Sequence, residues 1–203
     1  FLGDSGDGTE FRVKDVGILD FQSEDVAEYD VVMLCDVPNL SARKVAELEK
    51  FVDGGGSLIF FCGKSFEVAG RLGKNGTTNK LFYKNGTGLL PGSLEGTVGQ
   101  DQFTENPWFT QFDRFDHGAI AYFADEKIRP ALTGVPVHKL VAVEVPEDAE
   151  DVSVLTWFRQ KTGEKVHPAL VEKRYGRGKV YLFTTSADTT WNMLGTTPAY
   201  VPM

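Results

Sequence analysis

"YDVVMLCDVPNLSARKVAELEKFVDGGGSLIFFCG", residues 29–63, decides the fold. Residues 29–37 form a continuous β-branched and apolar run, the pattern of a strand buried on both faces of a parallel sheet. Residues 39–56 read as a helix. Ser41 is placed to cap its N-terminus. Val45, Leu48 and Val52 share a face with Phe51 beside them, and Arg43, Lys44, Glu47 and Lys50 are free to face water. Gly54 to Gly56 stop the helix, and "SLIFFC" (57–62) is a second buried strand. Strand, helix and strand joined by short loops make a βαβ unit with a right-handed crossover.

From residue 136 the β character returns. Strands are expected over 137–145, 152–159, 168–176 and 180–186, the last three close enough in sequence to pair as hairpins. The fold class is therefore α/β, with a mixed sheet whose parallel part comes from the βαβ unit. Residues 65–135 are less regular. Two Asn-Gly-Thr turns and a Pro-Gly turn predict loops around one or two short helices. The aromatic-rich stretch with Trp108, Phe109, Phe112, Phe115, Tyr122 and Phe123 predicts a satellite core. The whole chain, 1–203, reads as one domain with an insertion at about 65–135.

The 203 residues carry a net charge of −8. An acidic surface argues against general binding to nucleic acid or anionic lipid, both polyanions. Two cysteines, Cys35 and Cys62, make neither a disulfide framework nor a zinc site, and each ends an apolar run as buried free thiols do. No run is long enough to span a membrane, so no direct insertion by this chain is expected. The chain opens at Phe1 and stops at "TTPAYVPM", which reads as a soluble piece of a longer protein.

The ordered set "YDVVMLCDVPNLS", helix, "FVDGGGSLIFFCG" and "PALVEKRYGRGKVYLFTTSADTTWN" resembles the class I glutamine amidotransferase-like superfamily. More narrowly, it is similar to the non-catalytic amidotransferase-like domain of bacterial double-transmembrane (BatA, aerotolerance-type) membrane proteins. The ThuA-like family shares a similar glycine-containing hairpin. The resemblance implies a flavodoxin-like three-layer fold whose usual first strand is missing or truncated. It implies a membrane-anchored parent with this domain on the extracytoplasmic side. The partners it implies are proteins, among them other domains of the same chain, with no cofactor and no metal.

Active relatives need a thiolate, a His base and backbone N–H donors for the oxyanion. A strained nucleophile turn needs small neighbours at −2 and +2. Around Cys62 these are Phe60 and Lys64. The loop before the helix is Cys35-Asp36-Val37-Pro38, and proline has no N–H to donate. Of the three histidines, His117, His138 and His167, only His167 lies in a triad-like string. There Ala169 and Glu172 depart from His-Pro-Glu, and His167 reads as a turn residue before Pro168. Cys62 with His167 is the candidate pair if the chain is an enzyme, and the departures point to a non-enzymatic domain. "SLIFFCGKS" lacks the first glycine of a phosphate loop, since Leu58 stands there. Asp4, Asp7 and Asp36 lack the spacing of a calcium loop. Open α/β sheets bind ligands at the carboxyl ends of their strands. Asp36, Lys64, Ser65, Ser186 and Asp188 lie near such ends and are the ligand-binding candidates. Three functions follow: an interaction or assembly module, a Cys62-dependent hydrolase or amidotransferase, and a ThuA-like module binding a sugar or small molecule.

Overall fold

The computed structural model describes residues 12–101, 104–162 and 166–196. After a one-turn helix α1 (Ile18–Phe21), the chain enters β1 (Val31–Cys35), α2 (Ala42–Asp53) and β2 (Ser57–Cys62). β1 and β2 run parallel, Val31 opposite Ser57 and Cys35 opposite Phe61. The expected βαβ unit is present. Its helix begins at Ser41, whose Oγ accepts the Lys44 N–H at 3.2 Å. Val45, Leu48 and Val52 are buried against Leu58 and Phe60 of β2. Each such side chain contributes about 1.5–3 kcal/mol on leaving water.

The main sheet continues through β8 (Gly178–Ser186), β7 (Val166–Tyr175), β6 (Val152–Gln160) and β4 (Trp108–Gln111), in the order β1-β2-β8-β7-β6-β4. β2 and β8 are parallel, and the remaining neighbours are antiparallel. The sheet is thus mixed and flavodoxin-like in character, parallel over β1, β2 and β8 and a meander beyond. The β7–β8 turn bends on Gly176, at φ 57°, where a Cβ would stand 2.1 Å from Asp53 Oδ1. That close approach seats the hairpin on the C-terminal end of α2.

The region 65–135 holds more strand than its turn signals predict. β3 (Ser93–Gly99) pairs antiparallel with β5 (Lys139–Glu144) in a separate two-stranded sheet, so the strand expected over 137–145 lies outside the main one. Leu94 and Val141 of this ribbon join the core that α2 covers. The aromatic stretch splits. Phe123, with Phe112 and Phe115 beside it, packs on a short helix α3 (Pro130–Thr133) around Leu132 and Leu194 as a satellite core. Trp108 belongs to a different cluster with Val137 and Phe158, and Tyr122 is exposed.

Three expectations are corrected by position. β1 is not buried on both faces. It is the edge strand, with Val32 and Leu34 inside and Val31 45% and Met33 58% exposed. Cys35 shares the outer face and is exposed, whereas Cys62 at the end of central β2 is buried. Lys44 does not face water. It is 1% exposed, and its Nζ donates to Glu24 O and pairs with Glu47 Oε2, each at 2.6 Å. Among the described residues no helix is long and apolar enough to cross a membrane.

Candidate functional site

The carboxyl ends of β1, β2 and β8 gather four of the five strand-end candidates around one crevice. The chain leaves β1 through Asp36, whose φ of 56° turns the backbone sharply. Its carboxylate accepts the Ser65 N–H at 2.9 Å on one oxygen and 3.1 Å on the other. Ser65 lies in a single 3₁₀ turn, Lys64–Glu67, that follows β2. Ser186 ends β8 directly opposite Cys62. Its hydroxyl donates to Asp188 O at 3.0 Å and accepts from Trp191 N–H at 3.3 Å. Asp188 Oδ1 accepts the Thr190 N–H at 2.9 Å. Lys64 is exposed at the rim.

Electrostatics set the two carboxylates apart. Burial raises the Asp36 pKa, and repulsion from Asp188 adds to it against the Ser65 hydrogen bonds. At Asp188 burial pushes up too, but the Thr190 and Ser186 hydrogen bonds outweigh it and hold the carboxyl below its ordinary value. A group already accepting local N–H donors is stabilised as an anion without a ligand.

Sequence reasoning missed two members. Lys139, rather than Lys64, carries the ion pairs beside the crevice. Its Nζ reaches Asp101 Oδ1 at 2.7 Å and Glu67, and lies 5.7 Å from the centre of the Trp191 ring. Asn192 Nδ2 donates to Ser186 O at 2.7 Å and fixes the turn after β8. Neither stands out in sequence. Lys139 looks like an outward residue of a strand, and only the register of the β3–β5 ribbon turns it inward.

The candidate catalytic pair is not assembled. Cys62 is 0% exposed, and burial, followed by the Asp36 carboxylate, pushes its thiol far above the ordinary range. A thiol so placed stays protonated at neutral pH and is a poor nucleophile. His167 is not a turn residue but lies within β7, opposite Phe158, with its ring 6.3 Å from that of Trp108. β8 runs between β2 and β7. Two ladder spacings, about 10 Å, therefore separate the thiol's strand from the imidazole's. The Ser65 N–H, three residues after Cys62, is held by the Asp36 carboxylate. Cys35 is no substitute, since desolvation and then the carboxylates of Asp15, Asp188 and Asp36 raise its thiol.

His117 is placed differently. Its Nδ1 accepts the Ala119 N–H at 3.2 Å and its Nε2 meets Glu172 Oε2 at 3.1 Å, while Lys179 Nζ reaches the same oxygen at 3.0 Å. This ties the segment after β4 to the middle of the sheet. Among the described residues no group of three or more His, Cys, Asp or Glu is placed to hold a metal ion. Asp4 and Asp7 lie outside the described residues.

No protein-family model and no curated protein sequence matches the chain. Solved structures do share its fold. The cytoplasmic protein STM3548 from Salmonella typhimurium superposes at a TM-score of 0.58 with 16% identity, covering 94% of this chain and 72% of that one. The cytoplasmic protein STM1381 from the same organism gives 0.55 and 16%, covering 88% and 74%. A β-galactosidase from Bacillus circulans gives 0.55 and 17%, covering 82% of this chain. The chain spans 22% of that enzyme's length. At these identities the likeness is one of fold. It agrees with the α/β class expected from the sequence.

Proposed function

We propose that this chain is a non-catalytic module with an amidotransferase-like fold, docking on other domains of a larger protein. The observation that carries the reading is β1. Among the described residues it is an edge strand with no neighbour on its far side, and its outer face presents Val31 and Met33 to solvent. Edges of this kind are ordinarily covered, charged or bulged, and a bare apolar one is a template for pairing. The sealed Cys62 and the Asp36–Ser65 contact support the absence of thiol chemistry. The membrane-anchored parent and an extracytoplasmic position come from the sequence resemblance alone.

The test is hydrogen–deuterium exchange on the full-length protein. Met33→Lys places a charge on the outer face of β1. The reading expects faster exchange across residues 31–35 in the variant, with the melting transition unchanged. Identical exchange in variant and wild type contradicts docking on this edge.

A second reading, a small-molecule module of ThuA-like type, is favoured by one observation, a cavity on the opposite half of the sheet.

A further inference from the structure

On the face of the sheet away from α2, the meander strands are not packed tight against the segment that crosses them. A cavity of about 180 Å³ remains there. Its floor is Leu170, Tyr181 and Phe183, and its roof is Ile120, Phe123 and Leu194. The space is partly open to solvent, with the exposed Ala119 at its mouth. The lining is largely apolar.

Three threonines break that lining. Thr110 of β4 and Thr156 of β6 are 6% and 3% exposed, and both line the cavity. Neither hydroxyl has a hydrogen-bond partner among the described residues. A third threonine, Thr185, is committed, since its hydroxyl donates to Lys139 O at 2.9 Å. A hydroxyl on the wall of such a pocket can both donate to and accept from a guest. The roof is held by His117, whose bond to Glu172 anchors the segment two residues before Ala119.

From this juxtaposition we infer that the cavity between the β4–β6–β7–β8 face and the segment 117–132 is a binding site for a compact ring compound. The guest is mostly apolar and carries one hydrogen-bonding group, of phenol type, which meets Thr110 or Thr156. A cavity of about 150 Å³ lined by Leu, Ile and Phe holds benzene, so this one admits a ring with one or two small substituents. A sugar does not suit it, because its many hydroxyls would be buried against apolar walls. The inference rests on the small-molecule reading and names its site and ligand class. It is independent of docking at β1.

The probes are 4-methylphenol, toluene and glucose, titrated into the full chain with methyl resonances followed by NMR. Saturable shifts confined to Ile120, Leu132, Leu170 and Leu194 on adding 4-methylphenol are the expected result, with toluene weaker. Thr156→Val and Thr110→Val keep the side-chain shape. One of them lowers 4-methylphenol affinity by roughly 3–10-fold, the worth of one hydrogen bond, and leaves toluene affinity unchanged. Ala119→Phe obstructs the mouth of the pocket and weakens both. If glucose binds at the strand-end crevice and neither ring compound shifts the cavity methyls, the inference fails and the small-molecule reading stands. If no probe gives a saturable shift, both fall. Equal affinity for 4-methylphenol in wild type and both valine variants removes the hydrogen-bonding part of the claim and overturns it.

Discussion

The Asp36 carboxylate stands where a Cβ on Gly63 would go: such an atom would lie 2.5 Å from Asp36 Cγ. The same carboxylate holds the Ser65 N–H. Absence of a side chain at residue 63 is therefore what lets β2's tip and β1's tip lock together. Gly63→Ala is expected to destabilise the fold by about 1–3 kcal/mol through this overlap. Chemical denaturation measures it. Combined with Asp36→Ala, the loss should be less than additive, because the clash and the hydrogen bond involve one side chain.

Asp36 also sets a pH dependence. Its folded pKa lies above the ordinary 3.8, from burial and then from Asp188. A carboxyl raised in the folded state contributes stability that is full below the unfolded value and is lost as pH rises through the folded one. Asp36→Asn removes the ionisation and keeps an oxygen for the Ser65 N–H. Thermal midpoints across pH should show the variant above wild type at pH 7, with the gain fading below pH 3.8. A variant less stable at pH 7 contradicts the assignment.

Glu172 runs the other way. Burial raises its pKa, but hydrogen bonds from Tyr181 and Lys179, with the charge of His117 nearby, outweigh it and bring the carboxyl below the ordinary 4.5. Its contribution is present above that value and lost as pH falls through the folded one. Glu172→Gln should cost about 1–3 kcal/mol at neutral pH, since it leaves buried donors poorly met. The gap from wild type should close in acid below pH 4.5.

Much of this was readable in the sequence, for physical reasons. The βαβ unit declares itself because a capped, periodic helix between two apolar runs admits few other packings. The gathering of Asp36, Ser65, Ser186 and Asp188 follows once three strand ends are placed, since parallel strands bring their carboxyl ends together. What could not be read is which strand is the edge. "VVMLC" and "LIFFC" have the same character, yet one leaves Met33 and Cys35 outside and the other seals Cys62. Edge position is a property of the sheet order. β3 was hidden by its two glycines and weak β-propensity, and β4 by aromatics that pack equally well in a loop. The His117–Glu172 bond joins residues far apart in the chain, and no local pattern encodes it.

Lys44 is the other position that local periodicity misplaces. It sits on α2 where a water-facing residue is expected, but α1 and the turn after it fold over the helix, and Nζ lies 5.3 Å from the centre of the Phe21 ring. Lys44→Ala loses the stem packing and the bond to Glu24 O, for about 1–3 kcal/mol. Lys44→Met restores the stem and should recover part of it. Equal losses for the two variants would show that the charge alone matters.

Cys62 is sealed and held protonated at the tip of β2. Alkylation tests this most directly, with Cys35→Ser introduced first because Cys35 is exposed and any label on it would be confused with Cys62. Iodoacetamide near pH 7 is expected to leave Cys62 unmodified in the native variant and to label it only on unfolding. Native-state labelling of Cys62 faster than a model thiol would mean a depressed pKa and an accessible sulfur, and would contradict the account.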